Sequence, residues 1–177
     1  MPYLLVNPIQ RTASAGNTPL DVPEMHGASP PMSNVVPFIE APLDLISNSF
    51  TGRESELSQV REALDNFKFS ASPRFTVYGM PGVGKSQLAL RFAQSAFESE
   101  PRQYEYIHWI SASSEEKLKQ GFAMHLELFG LPEASNLDQN ARIAASRRWL
   151  ETESKDTKGR WLLIFDNVDT STIVVLR

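Results

Sequence analysis

The segment 79–86 reads GMPGVGKS, a glycine-rich stretch that ends in a lysine and a serine. Glycine lets the backbone curl until successive N–H groups point at phosphate oxygens, at an approach that a Cβ would obstruct. The Lys85 ammonium would reach the terminal phosphates, and the Ser86 hydroxyl would coordinate Mg²⁺. We predict a phosphate-binding loop formed by Gly79, Pro81, Gly82, Val83, Gly84, Lys85, Ser86 and Gln87.

Acidic residues near the other end of the chain suit the metal half of such a site. Asp166 directly follows the apolar run WLLIF at 161–165. Mg²⁺ keeps several waters and takes only one or two protein ligands, so we predict that Asp166 and Ser86 hold the metal. Asp169 is either a general base that orients water or a surface turn residue. The candidate catalytic residues are Lys85, Asp166 and Asp169.

The segments that flank the loop suit this chemistry. Residues 74–79 have the apolar pattern of a short buried strand, and residues 86–97 place apolar side chains on one helical face. A helix that begins at the loop adds unpaired N–H groups and the positive end of its dipole. Glycine-rich turns between a strand and a helix can also serve packing alone, but the lysine and serine favour phosphate binding.

Elsewhere the pattern alternates between helices and strands. The spacing from Ser113 to Glu116 resembles a capping box at the start of a helix. This alternation predicts an α/β fold, with a parallel sheet covered by helices and with Trp109 and Trp161 in its core. The remaining predicted elements are a helix over 53–67, a strand over 104–110, a helix over 139–151 and a strand over 161–165.

The N-terminal region has a different composition. Eight of the twelve prolines lie in the first 45 residues, among serine, threonine, asparagine and glycine, with no sustained hydrophobic period. We predict a disordered segment over 1–48 and a partial nucleotide-binding domain over 49–177.

The overall composition excludes several classes of protein. The chain has no cysteine and three scattered histidines, which rules out a disulfide framework and leaves little for a zinc site. A net charge of −4 gives no general attraction to nucleic acid. No apolar run reaches the roughly 20 residues of a membrane span, and the N-terminus lacks the pattern of a signal peptide. We expect a cytoplasmic chain with no nucleic-acid or membrane partner.

Three stretches together resemble one family. They read FTGRESEL at 50–57, VYGMPGVGKSQLALRFA at 77–93, and YIHWISASSEEKL at 106–118 combined with WLLIFDNVD at 161–169. These residues resemble the NB-ARC module of NOD-like receptors and related STAND signalling ATPases, most closely the fungal ones. The resemblance implies a P-loop NTPase fold that binds ATP or ADP with Mg²⁺ and switches between signalling states. It also places Phe50, Gly52 and Arg53 at the base and ribose.

This sequence departs from the family pattern in two ways. Asn167 stands where many members have a second acid, so we expect hydrolysis to be slow. The chain ends soon after the strand that carries Asp166, and the family strand that lies between that strand and the phosphate-loop strand comes later in sequence. We therefore expect a central gap with exposed edges beside Val77 and Ile164, and self-association or association with a related chain. The apolar run 173–176 follows Asp169 too closely to fill the gap by a parallel crossover.

Two other functions stay open at this point. A phosphotransferase built on the same loop would require an arginine-bearing lid, but Arg147 and Arg148 lie on a predicted helix. The chain could also be an inert interaction fragment. Its lack of activity would then result from incomplete folding rather than from altered chemistry at the site. A GTPase would carry an NKxD motif, which this sequence lacks.

Overall fold

The structure is a computed structural model that describes residues 3–6, 36–65, 74–151 and 160–168. Its helices fall close to the predicted ranges. The strands are β1 (Tyr3–Val6), β2 (Phe38–Glu40), β3 (Arg74–Thr76), β4 (Tyr106–Ser111) and β5 (Trp161–Asp166), and the α-helices are α1 (Glu54–Asp65), α2 (Lys85–Glu98), α3 (Glu115–Leu128) and α4 (Gln139–Glu151). Short 3₁₀ helices cover Leu43–Leu45 and Pro132–Ser135.

Helix α3 shows how local sequence sets the ends of a helix. The Ser114 side chain accepts a hydrogen bond from the Lys117 backbone N–H at 3.3 Å, so the N-cap is Ser114 and not the predicted Ser113. After the last turn, Gly130 has a φ of 63°, a left-handed conformation that favours glycine. The Leu131 N–H then reaches back to the Leu126 carbonyl at 2.9 Å, which closes a Schellman motif.

The strands form one sheet in the order β2-β4-β5-β1-β3. Strands β2, β4 and β5 are parallel, and α3 and α4 lie along the chain between β4 and β5. This arrangement confirms the predicted α/β fold of a P-loop NTPase. Strand β1 is antiparallel to both β5 and β3, so β3 runs in the same direction as β5.

The N-terminal region differs from the sequence-based prediction. Strands β1 and β2 both lie within the segment 1–48 that was expected to be disordered, while residues 7–35 lie outside the described residues. The expected central gap is also wrong, because Leu4 of β1 stands opposite Ile164 of β5. The run 173–176 lies outside the described residues.

Two apolar clusters lie on opposite faces of the sheet. Successive side chains of a strand point to opposite faces, so β5 contributes to both clusters. Leu162 and Ile164 pack with residues of α1 and α2, whereas Leu163 and Phe165 pack with residues of α3 and α4. Trp161 is buried in the second cluster, as predicted. The sheet is thus covered on both faces, which fixes β5 and the residue at its end.

The structure brings together two of the three histidines that look scattered in the sequence. His108 of β4 and His125 of α3 are buried and stacked, with ring centroids 5.8 Å apart. Within the part of the chain that the structure describes, neither His125 nitrogen has a hydrogen-bond partner. Burial lowers the pKa of His108 to about 4. Burial, and then the neighbouring His108, hold the pKa of His125 well below its usual value.

These histidines predict a loss of stability in acid. Between pH 6.5 and about 4, the unfolded chain binds protons that the folded His108 does not, so stability is full above that window and falls as pH falls. His108 alone should lower the free energy of unfolding by about 2 kcal/mol between pH 7.5 and pH 5. Urea unfolding at both pH values measures this loss. A His108→Leu, His125→Leu variant should lose less, because it lacks both buried imidazoles; an equal loss would contradict the prediction.

Candidate functional site

The glycine-rich loop connects β3 to α2 as the sequence predicts. Gly84 is the N-cap of α2 and has a φ of 90°, and Gly82 has a φ of 77°, so both positions need glycine for their backbone conformation. A Cβ placed on either residue would have no neighbour within 4 Å, which means that the space above the loop is open. The loop therefore forms an open cradle at a helix N-terminus, a shape that fits a phosphate group.

Lys85 lies across this cradle. Its Nζ donates hydrogen bonds to the Gly79 carbonyl at 3.0 Å and to the Met80 carbonyl at 2.8 Å. Both acceptors are neutral carbonyls of the loop itself, and they keep the ammonium close to the loop N–H groups. A phosphate oxygen would be a stronger, charge-assisted acceptor at the same place.

Ser86 and Asp166 meet although 80 positions separate them in the sequence. The Ser86 hydroxyl donates a hydrogen bond to Asp166 Oδ1 at 2.8 Å. Asp166 is nearly buried at the end of β5, where its carbonyl accepts from the Ala112 N–H at 2.7 Å. A hydroxyl and a carboxylate in contact are the oxygen ligands that Mg²⁺ prefers.

A larger group of metal-binding side chains is absent from the described ranges. No three histidine, aspartate or glutamate residues converge there as a metal site. Since Mg²⁺ takes only one or two protein ligands and completes its shell with water and phosphate, the pair Ser86 and Asp166 fits it. Asp169 lies outside the described residues, so its role stays a prediction.

Arg53 contacts the loop from the N-terminal side. Its Nη2 donates to the Val83 carbonyl at 2.8 Å, and its Nη1 lies 3.6 Å from Glu56 Oε1. Gly52 and Arg53 both have positive φ, 73° and 66°, and this sharp change of direction brings the arginine back over the loop. The Gly52–Arg53 pair thus connects the start of α1 to the phosphate loop.

The Gln87 side chain connects α2 to the segment 45–47 through two hydrogen bonds. Its side-chain carbonyl accepts from the Ser47 N–H at 2.7 Å, and its amide donates to the Leu45 carbonyl at 2.8 Å. These two contacts join Gln87 to the segment that leads to Phe50, and its place at the nucleotide stays a prediction.

Phe50 lines two clefts next to α2. Their volumes are about 540 Å³ and about 400 Å³, and Arg91 and Gln94 line both. Sequence analysis missed these two residues. Their spacing of four and seven positions from Gln87 places all three on one face of α2, a signal that could have found them.

A family model supplies the identification. The model of the AAA ATPase domain matches residues 49–173. The chain belongs to the AAA ATPase domain family. That match covers the phosphate loop, Asp166 and the segment that carries Phe50 and Arg53.

A relative of this AAA ATPase domain comes from Hyaloscypha variabilis. It is a nucleotide-binding leucine-rich repeat (NLR)-like protein, 33% identical over 124 residues, which is 70% of the chain and 12% of the relative. The chain thus spans about an eighth of that relative's length. The two findings confirm the resemblance to an NB-ARC-type module of NOD-like receptors. No solved structure matched the chain.

No helix within residues 36–65, 74–151 and 160–168 combines the length and the apolar character needed to cross a bilayer. The exposed apolar side chains of the domain include Tyr78 and Met80, which stand at the start of the phosphate loop.

Proposed function

We propose that this domain binds ATP or ADP with Mg²⁺ and acts as a nucleotide-dependent switch within a larger signalling receptor. The contact between Ser86 and Asp166, beside an open glycine cradle, is the observation that carries the proposal. It joins the phosphate-binding and metal-binding residue types at one point. The AAA ATPase family supports nucleotide use, and the NLR-like relative supports a receptor context.

Each residue has a distinct part in the proposed binding. The loop N–H groups and the N-terminus of α2 would hold the phosphates, and Lys85 would exchange its carbonyl acceptors for phosphate oxygens. Ser86 and Asp166 would hold Mg²⁺, which neutralises the charge of the outer phosphates when it is bound. Because these residues are already in contact, little rearrangement is required.

The base and ribose have a candidate position next to α2. Phe50 offers an aromatic ring at two clefts, and Gln94 offers a side-chain amide in both. Arg53 links this region to the phosphate loop through Val83. We propose that Phe50, Gly52 and Arg53 line the base and ribose, and that Gln87 sets the distance of Phe50 from the loop through its contacts with 45–47.

Titration with nucleotides tests the function. Calorimetry of the full chain with ADP, ATP and GTP, each with and without Mg²⁺, should show binding of both adenine nucleotides and a Mg²⁺-dependent gain for ATP. A phosphotransferase would in addition require an acceptor. Nothing in the described residues favours that alternative, since Arg148 pairs with Glu133 at 3.0 Å on the α4 side of the sheet. Absence of heat for all three nucleotides would refute the proposed function.

Asp169→Asn should slow ATP hydrolysis while leaving ATP affinity within about threefold. The reason is that a general base acts on water in the reaction, whereas affinity depends on the loop and the metal. Phosphate release under single-turnover conditions measures the rate. Asp138→Asn, an exposed aspartate before α4, is the matched control. An unchanged rate in Asp169→Asn would leave Asp169 as a turn residue.

A further inference from the structure

Strand β1 lies inside the sheet, between β3, which leads into the glycine-rich loop, and β5, which ends at Asp166. It is paired on both sides: Leu4 stands opposite Phe75 of β3 and opposite Ile164 of β5. In the described sheet, β3 and β5 are not neighbours. Within the described sheet, residues 3–6 are therefore the hydrogen-bonded link between β3, which leads into the glycine-rich loop, and β5, which carries Asp166.

The connection from β1 to β2 contains many more residues than are needed to span the distance between the two strands. Strand β2 lies at the sheet edge, three strand positions from β1, which corresponds to about 15 Å. Residues 7–35 could extend over about 100 Å. Strand β1 can therefore leave its place without displacing β2, because the length of the connection does not hold it there.

The loss of β1 would affect the site without dismantling the core. Phe92 of α2 and Ile164 of β5 belong to one apolar cluster, so the two halves stay associated through it. Phe75 of β3 also packs against this cluster, but without β1 no sheet hydrogen bond would set the spacing of β3 against β5, and each strand would expose unpaired N–H and C=O groups along its inner edge. Gly79 begins the phosphate loop soon after β3 ends at Thr76, so the loop follows any shift of β3.

We propose that the facing edges of β3 and β5 form a binding slot for an extended apolar peptide strand, that residues 3–6 of the same chain occupy it, and that this occupancy sets the affinity for Mg²⁺-nucleotide. Strand addition of this kind draws its affinity from main-chain hydrogen bonds. Here the strand is paired along both edges, with three residue pairs to β3 and four to β5. The effect on affinity rests on the proposed function, whereas the slot itself does not.

Cross-linking tests the slot directly. Tyr3 and Thr76 stand opposite each other in an antiparallel pair, whose Cα spacing of about 4.5–5.5 Å suits a disulfide. Because the chain has no cysteine, a Tyr3→Cys, Thr76→Cys variant has no competing thiol. It should cross-link within the folded chain under mild oxidation. The control pairs Tyr3→Cys with Leu137→Cys, at a fully exposed position. Cross-linking no greater than in the control would overturn the proposal.

A proline variant tests the effect on affinity. Leu4→Pro removes a backbone donor in the middle of the strand and should weaken Mg²⁺-ATP binding at least about tenfold. A synthetic peptide of residues 1–8 should restore it, and Ser14→Pro, outside the strand, should bind like the parent. Unchanged affinity in Leu4→Pro would overturn the proposal.

The proposal can also be tested if Leu4→Pro fails to fold. If the variant is unfolded, recovery of folding with about 1 mM peptide, seen as amide protection in β3 and β5, would support the slot, and no recovery would overturn it. If the parent chain binds no nucleotide, the proposed function and the effect on affinity both fail. The slot then stands or falls on the cross-link alone.

Discussion

Lys85→Ala should weaken the binding of both ADP and ATP by more than tenfold. The Lys85 ammonium already lies within 3.0 Å of two loop carbonyls, over the cradle where phosphate would bind. A hydrogen bond from a charged donor contributes roughly 1.5–3 kcal/mol, and about 1.4 kcal/mol corresponds to a tenfold change in affinity. Both nucleotides should lose affinity, because both carry the β-phosphate that the lysine reaches.

Calorimetric titration of parent and variant measures this effect. Lys117→Ala is the matched control, because Lys117 is exposed on α3 and its removal changes the net charge by the same amount. Thermal unfolding of Lys85→Ala shows whether the lost contacts to Gly79 and Met80 alter the fold. An affinity equal to that of the parent, in a folded variant, would contradict the assignment of the phosphate loop.

Asp166→Asn should remove most of the Mg²⁺ dependence of ATP binding and leave ADP binding comparatively intact. The substitution retains an oxygen that can accept the 2.8 Å hydrogen bond from Ser86 but removes the negative charge. That charge acts on the metal rather than on the base or ribose. In the parent, Mg²⁺ should strengthen ATP binding by about tenfold or more, and in the variant by less than about threefold.

Titrations of ATP and ADP across a range of Mg²⁺ concentrations separate this effect from a general loss of binding. Asp138→Asn serves as the control for loss of one carboxylate. Asp138 lies before α4, and its side chain accepts a hydrogen bond from the Asn140 backbone N–H, which asparagine can also accept. A variant that lost ADP affinity as strongly as ATP affinity would show that Asp166 supports the loop instead of the metal. Unchanged Mg²⁺ dependence would exclude it as a ligand.

Much of the fold was predictable from local sequence. The apolar periodicity of α1 and α2 and the buried run of β5 predicted their ranges to within a few residues, because each pattern repeats over several turns or a whole strand. The loop was equally predictable, since its glycines, lysine and serine are consecutive. The meeting of Ser86 and Asp166 followed from one topological rule: the carboxyl ends of parallel strands face the same edge of a sheet.

Other features depended on contacts between residues far apart in sequence. The side-chain amide of Gln87 contacts Leu45 and Ser47, some 40 positions away, in addition to its predicted place beside the nucleotide. His108 and His125 stack only because α3 packs on β4. No spacing in the sequence indicates either contact, since a side chain finds its partners only after the elements that carry both have packed.

The amino-acid sequence by itself determined the glycine-rich loop between a strand and a helix, the carboxylate at the end of β5 and the α/β order of the elements, because consecutive residues and short-range periodicity encode them. Only the tertiary structure decided which strand lies between β3 and β5. The run YLLV at 3–6 is four residues long, too short to show a period, and a strand has no hydrogen bonds of its own. Its place is fixed by pairing with residues about 70 and 160 positions away, which exist only once the sheet has formed.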